Sequence, residues 1–238
     1  MDERDWERWD GEGVAAAIES YWRGSAHERA HRAVLADLCS PYLAPPGLDV
    51  LEVGCGTGLV YEQLVPRLIP NERYTGVDVS ERMLAIGREA FPRARLLAGD
   101  GYGLRFGDGA FDVVLCFEVL GHLPEIAPLL RELVRVARKT VLFTVWPAAG
   151  GVVETHESVR GERFLHRQYS HAWLYEQVLA AAPAVCLEME VGILHAECWA
   201  YALHRRPGTG GLAFTRLFPV PGYARHLQRL DRDAAAQG

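Results

Sequence analysis

The sequence predicts an α/β fold: a Rossmann-like, doubly wound and mostly parallel sheet of seven strands, with an antiparallel hairpin at one edge. Three observations predict it. Short apolar runs alternate with helix-like text through residues 48–146, as parallel strands joined by right-handed crossover helices require. Two of those runs, FDVVLCF (111–117) and TVLFTVW (140–146), are almost uninterrupted, the mark of strands buried on both faces. Finally, VCLEMEVG (185–192) and ECWAYALH (197–204) follow one another with no room for a helix, so they pair as a hairpin.

Taken in order, residues 26–39 (AHERAHRAVLADLC) have amphipathic helical spacing, and Pro41, Pro45, Pro46 and Gly47 stop them. The first strand is LDVLEVG (48–54), ended by glycine, and helical text follows at 58–68. Tyr74–Val79 is the second strand, and Ser80 is placed to cap a helix running to about Ala90. A third strand fits 95–98, before a glycine-rich loop (99–110) that cannot stay regular. Pro124 and Glu125 suit the first turn of a helix reaching about Arg138. A polar stretch (148–170) then precedes a helix near 171–182. The expected organisation is a helical cap (1–45), a core (46–206) carrying the insert 148–170, and an arginine-rich tail (207–238).

Composition narrows the partners. Of 238 residues, 49% are hydrophobic and 24% charged, the balance of a globular chain rather than a disordered one. No run approaches the roughly 20 apolar residues of a membrane span, and the acidic start MDERDWERWDGEG does not resemble a secretory signal. A cytoplasmic setting is expected, without membrane attachment. The net charge of −6 argues against general affinity for nucleic acid. Residues 1–20 hold seven acids and two arginines, and residues 201–238 six arginines and two acids, so the ends can attract each other. Five cysteines without a C-x-x-C pair suggest free thiols in a reducing compartment. Monomer and homodimer both remain open.

The chemistry gathers in VLEVGCGTGLVYEQL (50–64). A strand runs straight into Gly54-Cys55-Gly56-Thr57-Gly58 and then a helix, so a ligand can approach the backbone without meeting a Cβ. Twenty residues beyond Gly58, at the end of the next strand, Asp78 can accept both hydroxyls of a ribose. A dinucleotide fingerprint is G-x-G-x-x-G/A, and here the third glycine falls one residue early. Glu52, two residues before the loop, would sit poorly beside a pyrophosphate but suits a ligand bearing an ammonium and a sulfonium.

This spacing resembles motif I of the class I S-adenosylmethionine (SAM)-dependent methyltransferases, and the resemblance covers about residues 48–146. YTGVDVS is similar to the second motif, which makes Asp78 the ribose ligand with Val79 beside it. LLAGDGYGLRFGDGAFDVV resembles the next stretch, implying that Asp100 bonds the adenine amino group while Gly101 and Tyr102 flank the ring. CFEVLGHLPEIAPLLRELVRV resembles the segment after the fourth strand in the small-molecule branch, which brings Phe117 and Glu118 to the cofactor. SYWRGSAHERAHR looks like the helix that covers SAM, so Tyr21 and Arg23 would help close the site. SAM is thus the implied cofactor, with S-adenosylhomocysteine (SAH) as product. Metal-using relatives carry a pattern like E-x-x-E-H where this chain reads Glu118-Val-Leu-Gly121-His122. One acid is missing, and two ligands four residues apart on a shared helical face do not make a site, so no metal is expected.

The implied reaction moves a methyl group from SAM to an oxygen or nitrogen of a small molecule. Carbon methylation, or a SAM-binding regulator that has lost transfer, are the alternatives. His122 follows the strand that ends beside the methyl donor and is the candidate base. His156, His166 and His171 match no ligand spacing and suit a solvated or substrate-facing loop. Arg160, Arg163, Arg167 and Tyr169 of the insert are candidate contacts to an anionic or polyhydroxylated acceptor. Trp146, Phe164, Trp173 and Trp199 are candidate pocket walls.

Overall fold

Alternating apolar and amphipathic text becomes alternating strand and helix. The computed structural model describes residues 5–11, 13–195 and 198–219. A 3-10 turn (Asp5–Asp10) precedes α1 (Val14–Gly24) and α2 (Ala26–Leu43). The core follows as β1 (Val50–Val53), α3 (Leu59–Leu64), β2 (Tyr74–Asp78), α4 (Glu81–Ala90), β3 (Leu96–Ala98), β4 (Phe111–Cys116), α5 (Ala127–Val136) and β5 (Ala137–Pro147). After it come β6 (Val152–Val159), β7 (Glu162–Tyr169), α6 (His171–Ala181), β8 (Val185–His195), β9 (Cys198–Thr209) and β10 (Leu212–Pro219).

The sheet runs in the order β10-β8-β9-β5-β4-β1-β2-β3. Strands β1 to β5 are parallel neighbours, while β9 lies antiparallel between β5 and β8. All seven expected strands are present, with the edge hairpin as β8 and β9. Successive residues of a strand face opposite sides, and both sides are covered. Leu51, Val53, Val114 and Cys116 pack with Leu130 and Leu133 of α5 and Leu174 of α6. Val50, Val113 and Leu115 pack with Leu35 and Leu38 of α2 and Leu64 of α3. A small third cluster joins Val14 and Ile18 of α1 to Met83 of α4 and Phe164 of β7.

Four details differ from the sequence reading. First, α2 continues through Pro41 to Leu43. A proline in the final turn forfeits only one backbone bond, and burial of Leu43 offsets it. Second, α5 begins at Ala127 rather than Pro124, with Pro128 as its first-turn proline, and it stops at Val136 because Ala137 already pairs with Phe111 of β4. Third, the insert is a hairpin, β6 paired with β7, and β7 also pairs with the end of β5 at Trp146–Gln168. Fourth, β9 runs to Thr209, and the region expected as a tail supplies β10, parallel to β8. Residues 220–238, which hold most of the expected basic tail, lie outside the described residues, as do residues 1–4 and 12 of the acidic start.

Candidate active site

Every parallel strand ends at the same edge, and a cavity of about 740 Å³ opens there. Ligands of open α/β sheets bind at that edge. The loop after β1 forms the floor. The amides of Gly54 and Cys55 both donate to the Val77 carbonyl, at 2.8 and 3.1 Å, which ties the loop to β2. Gly54 has φ +78, and a Cβ there would sit 2.2 Å from Val119 Cγ2, so no side chain fits. Gly56 (φ +51) is different: a Cβ would find only ordinary contacts, at 3.6 Å, with Met83 and the Trp22 ring. That opening leaves backbone for a ligand to cover. Gly58 lies off the cavity, capping α3 against Phe91.

The acids take their places around this floor. Asp78 Oδ2 accepts the Gly56 amide at 2.8 Å and Oδ1 the Ser80 amide at 2.9 Å. Each oxygen keeps a second lone pair for a ligand hydroxyl. Burial raises its pKa, opposed by the amides of Ser80, Gly56 and Val79. Asp100 Oδ1 accepts the Tyr102 amide at 2.8 Å, and the Tyr102 hydroxyl donates to the Glu125 carbonyl. Glu52 is 2% exposed at the base of the cavity, where it accepts from the Tyr74 hydroxyl. Burial pushes its carboxyl up to about 8, against the Tyr74 bond and the Arg32 charge. A buried carboxyl of this kind is neutral at pH 7 until a cation reaches it.

Glu118 stands at φ +58, an uncommon conformation for a residue with a side chain, and its amide donates to Thr144 Oγ1 at 2.8 Å. Its carboxylate meets Arg32, and His31 Nε2 at 3.0 Å. Burial works against its charge, yet Arg32 and His31 outweigh it and hold the carboxyl far below the usual range. Arg32 also lies over the Trp22 ring, 5.3 Å from its centroid. Sequence reasoning missed Arg32. It is the α2 arginine that reaches the cavity, whereas Arg23 pairs on the surface with Glu19 and Glu62 and does not line it. Tyr21, 61% exposed, does stand at the mouth.

His122 closes a 3-10 turn (Leu120–His122), so it does not share a helical face with Glu118 as the four-residue spacing allowed. Its Nδ1 lies 2.8 Å from the Leu165 carbonyl of β7. A carbonyl only accepts, so Nδ1 carries the proton in the neutral ring and Nε2 keeps a lone pair. Burial lowers the imidazole pKa, with the Leu165 bond opposing and His166 assisting. Trp146 and Trp9 meet the ring edge-on, at 5.2 and 4.8 Å between centroids. Beside it, a Cβ on Gly121 would lie 2.6 Å from the Trp146 ring and 2.8 Å from the Arg167 carbonyl, which leaves no room for an acid. Among the described residues, no three His, Cys, Asp or Glu side chains gather as a metal site needs.

Cys55, Val79, Gly101 and Phe117 line the cavity with the acids. Of the other residues singled out, Trp146 and Arg160 line it and the rest do not. Phe164 is buried in the third cluster, Trp173 stacks on Tyr169 at 5.0 Å, and Trp199 packs against the main core. Arg167 binds Glu154 and the Pro124 carbonyl, and the Tyr169 hydroxyl donates to the Leu120 carbonyl at 2.9 Å. His166 lies against Trp146 at 4.5 Å, His171 against Tyr201 at 5.9 Å, and His156 is exposed.

Known proteins match this arrangement. The methyltransferase domain family matches residues 51–145, from β1 to β5. Residues 51–145 are a class I S-adenosylmethionine-dependent methyltransferase domain. A demethylmenaquinone methyltransferase of Listeria welshimeri is 35% identical over 97 residues, 39% of this chain and 41% of that protein. A 2-methyl-6-phytyl-1,4-hydroquinone methyltransferase of Synechocystis is 36% identical over 104 residues, 42% of this chain and 32% of that one. The chain thus spans less than half of these relatives. The solved magnesium protoporphyrin IX methyltransferase of Synechocystis with bound SAM has a TM-score of 0.63 at 17% identity, covering 87% of this chain and 98% of its own. A glycopeptide N-methyltransferase complexed with SAH scores 0.59 at 11% identity, covering 73% and 90%. Those two likenesses are of fold. The residues of the methyltransferase domain fit the family's cofactor: uncovered backbone at Gly56, two Asp78 oxygens each with a lone pair to spare, and the buried Glu52 carboxyl.

Proposed function

We propose that the chain transfers a methyl group from SAM to a hydroxyl oxygen of a small molecule, releasing SAH. The observation that carries this reading is His122, whose Nδ1–H is committed to Leu165 and whose Nε2 is left as a base in the cavity wall. Bound SAM supplies a methyl carbon already activated by its sulfonium. The protein's part is to hold the cofactor at Asp78, Asp100 and the glycine loop, and to set the acceptor in line. Glu52 and Glu118 supply negative charge near the ammonium and sulfonium. His122 takes the acceptor proton on Nε2 as the oxygen attacks, a contribution of about 10²–10⁴-fold for a positioned base. Trp9 and Trp146 keep the site dry around the reacting atoms.

Carbon methylation of a hydroquinone ring is the second reading, favoured by the two quinone-pathway relatives. It also needs a base, because removing a phenolic proton loads the ring carbons with charge. Incubation of the protein with methyl-labelled SAM and a metabolite pool tests both, since the labelled product shows whether oxygen or carbon was methylated. Calorimetry with SAH tests the cofactor site by itself. Asp78→Ala is expected to weaken SAH by about 1.5–3 kcal/mol, the value of hydrogen bonds to a charged group. Unchanged affinity would remove Asp78 from the site.

A further inference from the structure

The 3-10 turn of residues 5–10 precedes the matched methyltransferase segment by forty residues, yet it touches both ends of the cavity. Asp10 reaches the cofactor side. Its Oδ1 accepts from the Ser80 hydroxyl at 3.0 Å and from the Arg82 amide at 2.9 Å, so it completes the cap of α4. The amide of the same Ser80 is bound to Asp78 Oδ1. Trp9 reaches the acceptor side, where its indole stands 4.8 Å from His122 and 4.5 Å from Phe164 of the hairpin. Its carbonyl lies 3.1 Å from the Ser80 hydroxyl, and Arg8 Nη1 donates to the Arg163 carbonyl at 3.0 Å. The His122 ring is therefore flanked by the Leu165 carbonyl, Trp146, His166 and Trp9. Of these four, only Trp9 comes from outside the sheet and its hairpin.

We infer that residues 8–10 form a clasp in which Trp9 is a positioning residue for His122 and a wall of the acceptor pocket, while Asp10 anchors that wall to the Ser80 cap beside Asp78. The inference rests on reading His122 as the base. A six-residue turn held by a few side-chain contacts belongs to the low-stability end of a fold, so it opens and closes more readily than the sheet. A ligand on Asp78 restrains Ser80, and through it Asp10 and Trp9. The acceptor then meets a wall that the cofactor has already ordered, which lowers the ordering cost of its own binding. The contacts Asp78, Ser80, Asp10, Trp9 and His122 are continuous, and a distant variant tests whether they act together.

The experiment uses the full chain, with SAH as the probe. Trypsin cleavage after Arg8 is expected to slow at least fivefold on saturation with SAH, and Asp10→Ala is expected to abolish that protection. Ring-nitrogen NMR of His122 supplies the readout that a merely structural role would not move. The wild type is expected to show one protonated and one lone-pair nitrogen, whereas Trp9→Ala and Asp10→Ala average the two tautomers. Asp10 does not touch His122, so its effect must travel through Trp9. Trp9→Phe, which keeps a ring, and Asp10→Asn, which keeps an acceptor oxygen, are expected to retain the wild-type signals. If SAH binds while Asp10→Ala leaves both the His122 signals and the protection unchanged, the clasp is overturned and the cofactor reading stands. If the wild type does not bind SAH, the cofactor reading falls and the clasp with it.

Discussion

The floor of the cavity and its roof are built on different principles. In the floor, loops of a few residues leave buried parallel strands, and backbone amides fix them, two donating to the Val77 carbonyl and two to the Asp78 carboxylate. In the roof, the amino-terminal turn and the β6–β7 hairpin meet through side chains and single bonds, and seven of the eight β6 residues are exposed. The floor carries the glycines and acids to which the proposed reading assigns the cofactor. The roof supplies Trp9, Arg160 and the Leu165 carbonyl that sets the tautomer of His122. Both roof elements lie outside the matched segment, so in the proposed reading the acceptor meets parts that cofactor motifs do not describe.

The comparison breaks most visibly at His122, where floor and roof meet. His122→Ala is expected to lower kcat about 10²–10⁴-fold on a hydroxyl acceptor while SAH affinity stays within about twofold. Burial holds this imidazole below its ordinary 6.5, so the wild-type base is neutral at pH 7. Its kcat should fall only as the solution is acidified below that value. Steady-state kinetics on the identified acceptor check both points. Near-normal kcat in the variant would take His122 out of the mechanism.

Two glycines with similar backbones sharpen the contrast. Gly54 in the floor has φ +78 and Gly161 at the tip of the roof hairpin has φ +85. Alanine at either meets the left-handed cost of about 1–2 kcal/mol. At 161 nothing lies within 4 Å, so that is the whole effect. At 54 the new Cβ collides with Val119, which adds about 1–3 kcal/mol of overpacking and shifts the cofactor loop. Urea unfolding of the two variants should therefore separate them, with SAH binding lost only in Gly54→Ala. Equal destabilisation would mean that the floor yields as easily as the roof.

The same division governs what could be read from the sequence. Strands β1 to β5 were legible because burial on both faces forces continuous apolar runs. The glycine loop and Asp78 were legible because a short strand–turn–helix leaves few ways to place them, and the structure joins them at 2.8 Å. The hairpin was not, because an exposed β6 needs no apolar alternation to form. Its one signal was Arg160-Gly161, a two-residue turn with both φ values positive, as tight hairpins prefer. Arg32 belongs to no motif. It falls on the stripe of Leu35 and Cys39 at helical spacing, and a charge on a buried stripe was the available clue. Trp9 and Asp10 had none, since their partners lie at least 70 residues away in Ser80 and more than 110 in His122.

The smallest expected effect is a proton, and it tests the floor by itself. Glu52 has a carboxyl raised from 4.5 to about 8, first by burial, so at pH 7 the ligand-free folded chain holds a proton there. The unfolded chain does not, because its carboxyl has already ionised. Between those two values the folded state binds more protons than the unfolded one, so stability contributed by this group falls as pH rises through the window. Cofactor binding has the opposite consequence. A sulfonium and an ammonium near Glu52 favour the carboxylate, so SAM should expel up to one proton at pH 7 and bind less tightly as pH falls below about 8. Calorimetry of SAM binding in buffers of different ionisation enthalpy counts that proton. SAH keeps the ammonium and lacks the sulfonium, so equal release by both ligands would assign Glu52 to the ammonium, and greater release by SAM to the sulfonium. No release by either would mean that Glu52 stays neutral beneath the cofactor, and the charge complementing the ligand would then rest on Glu118.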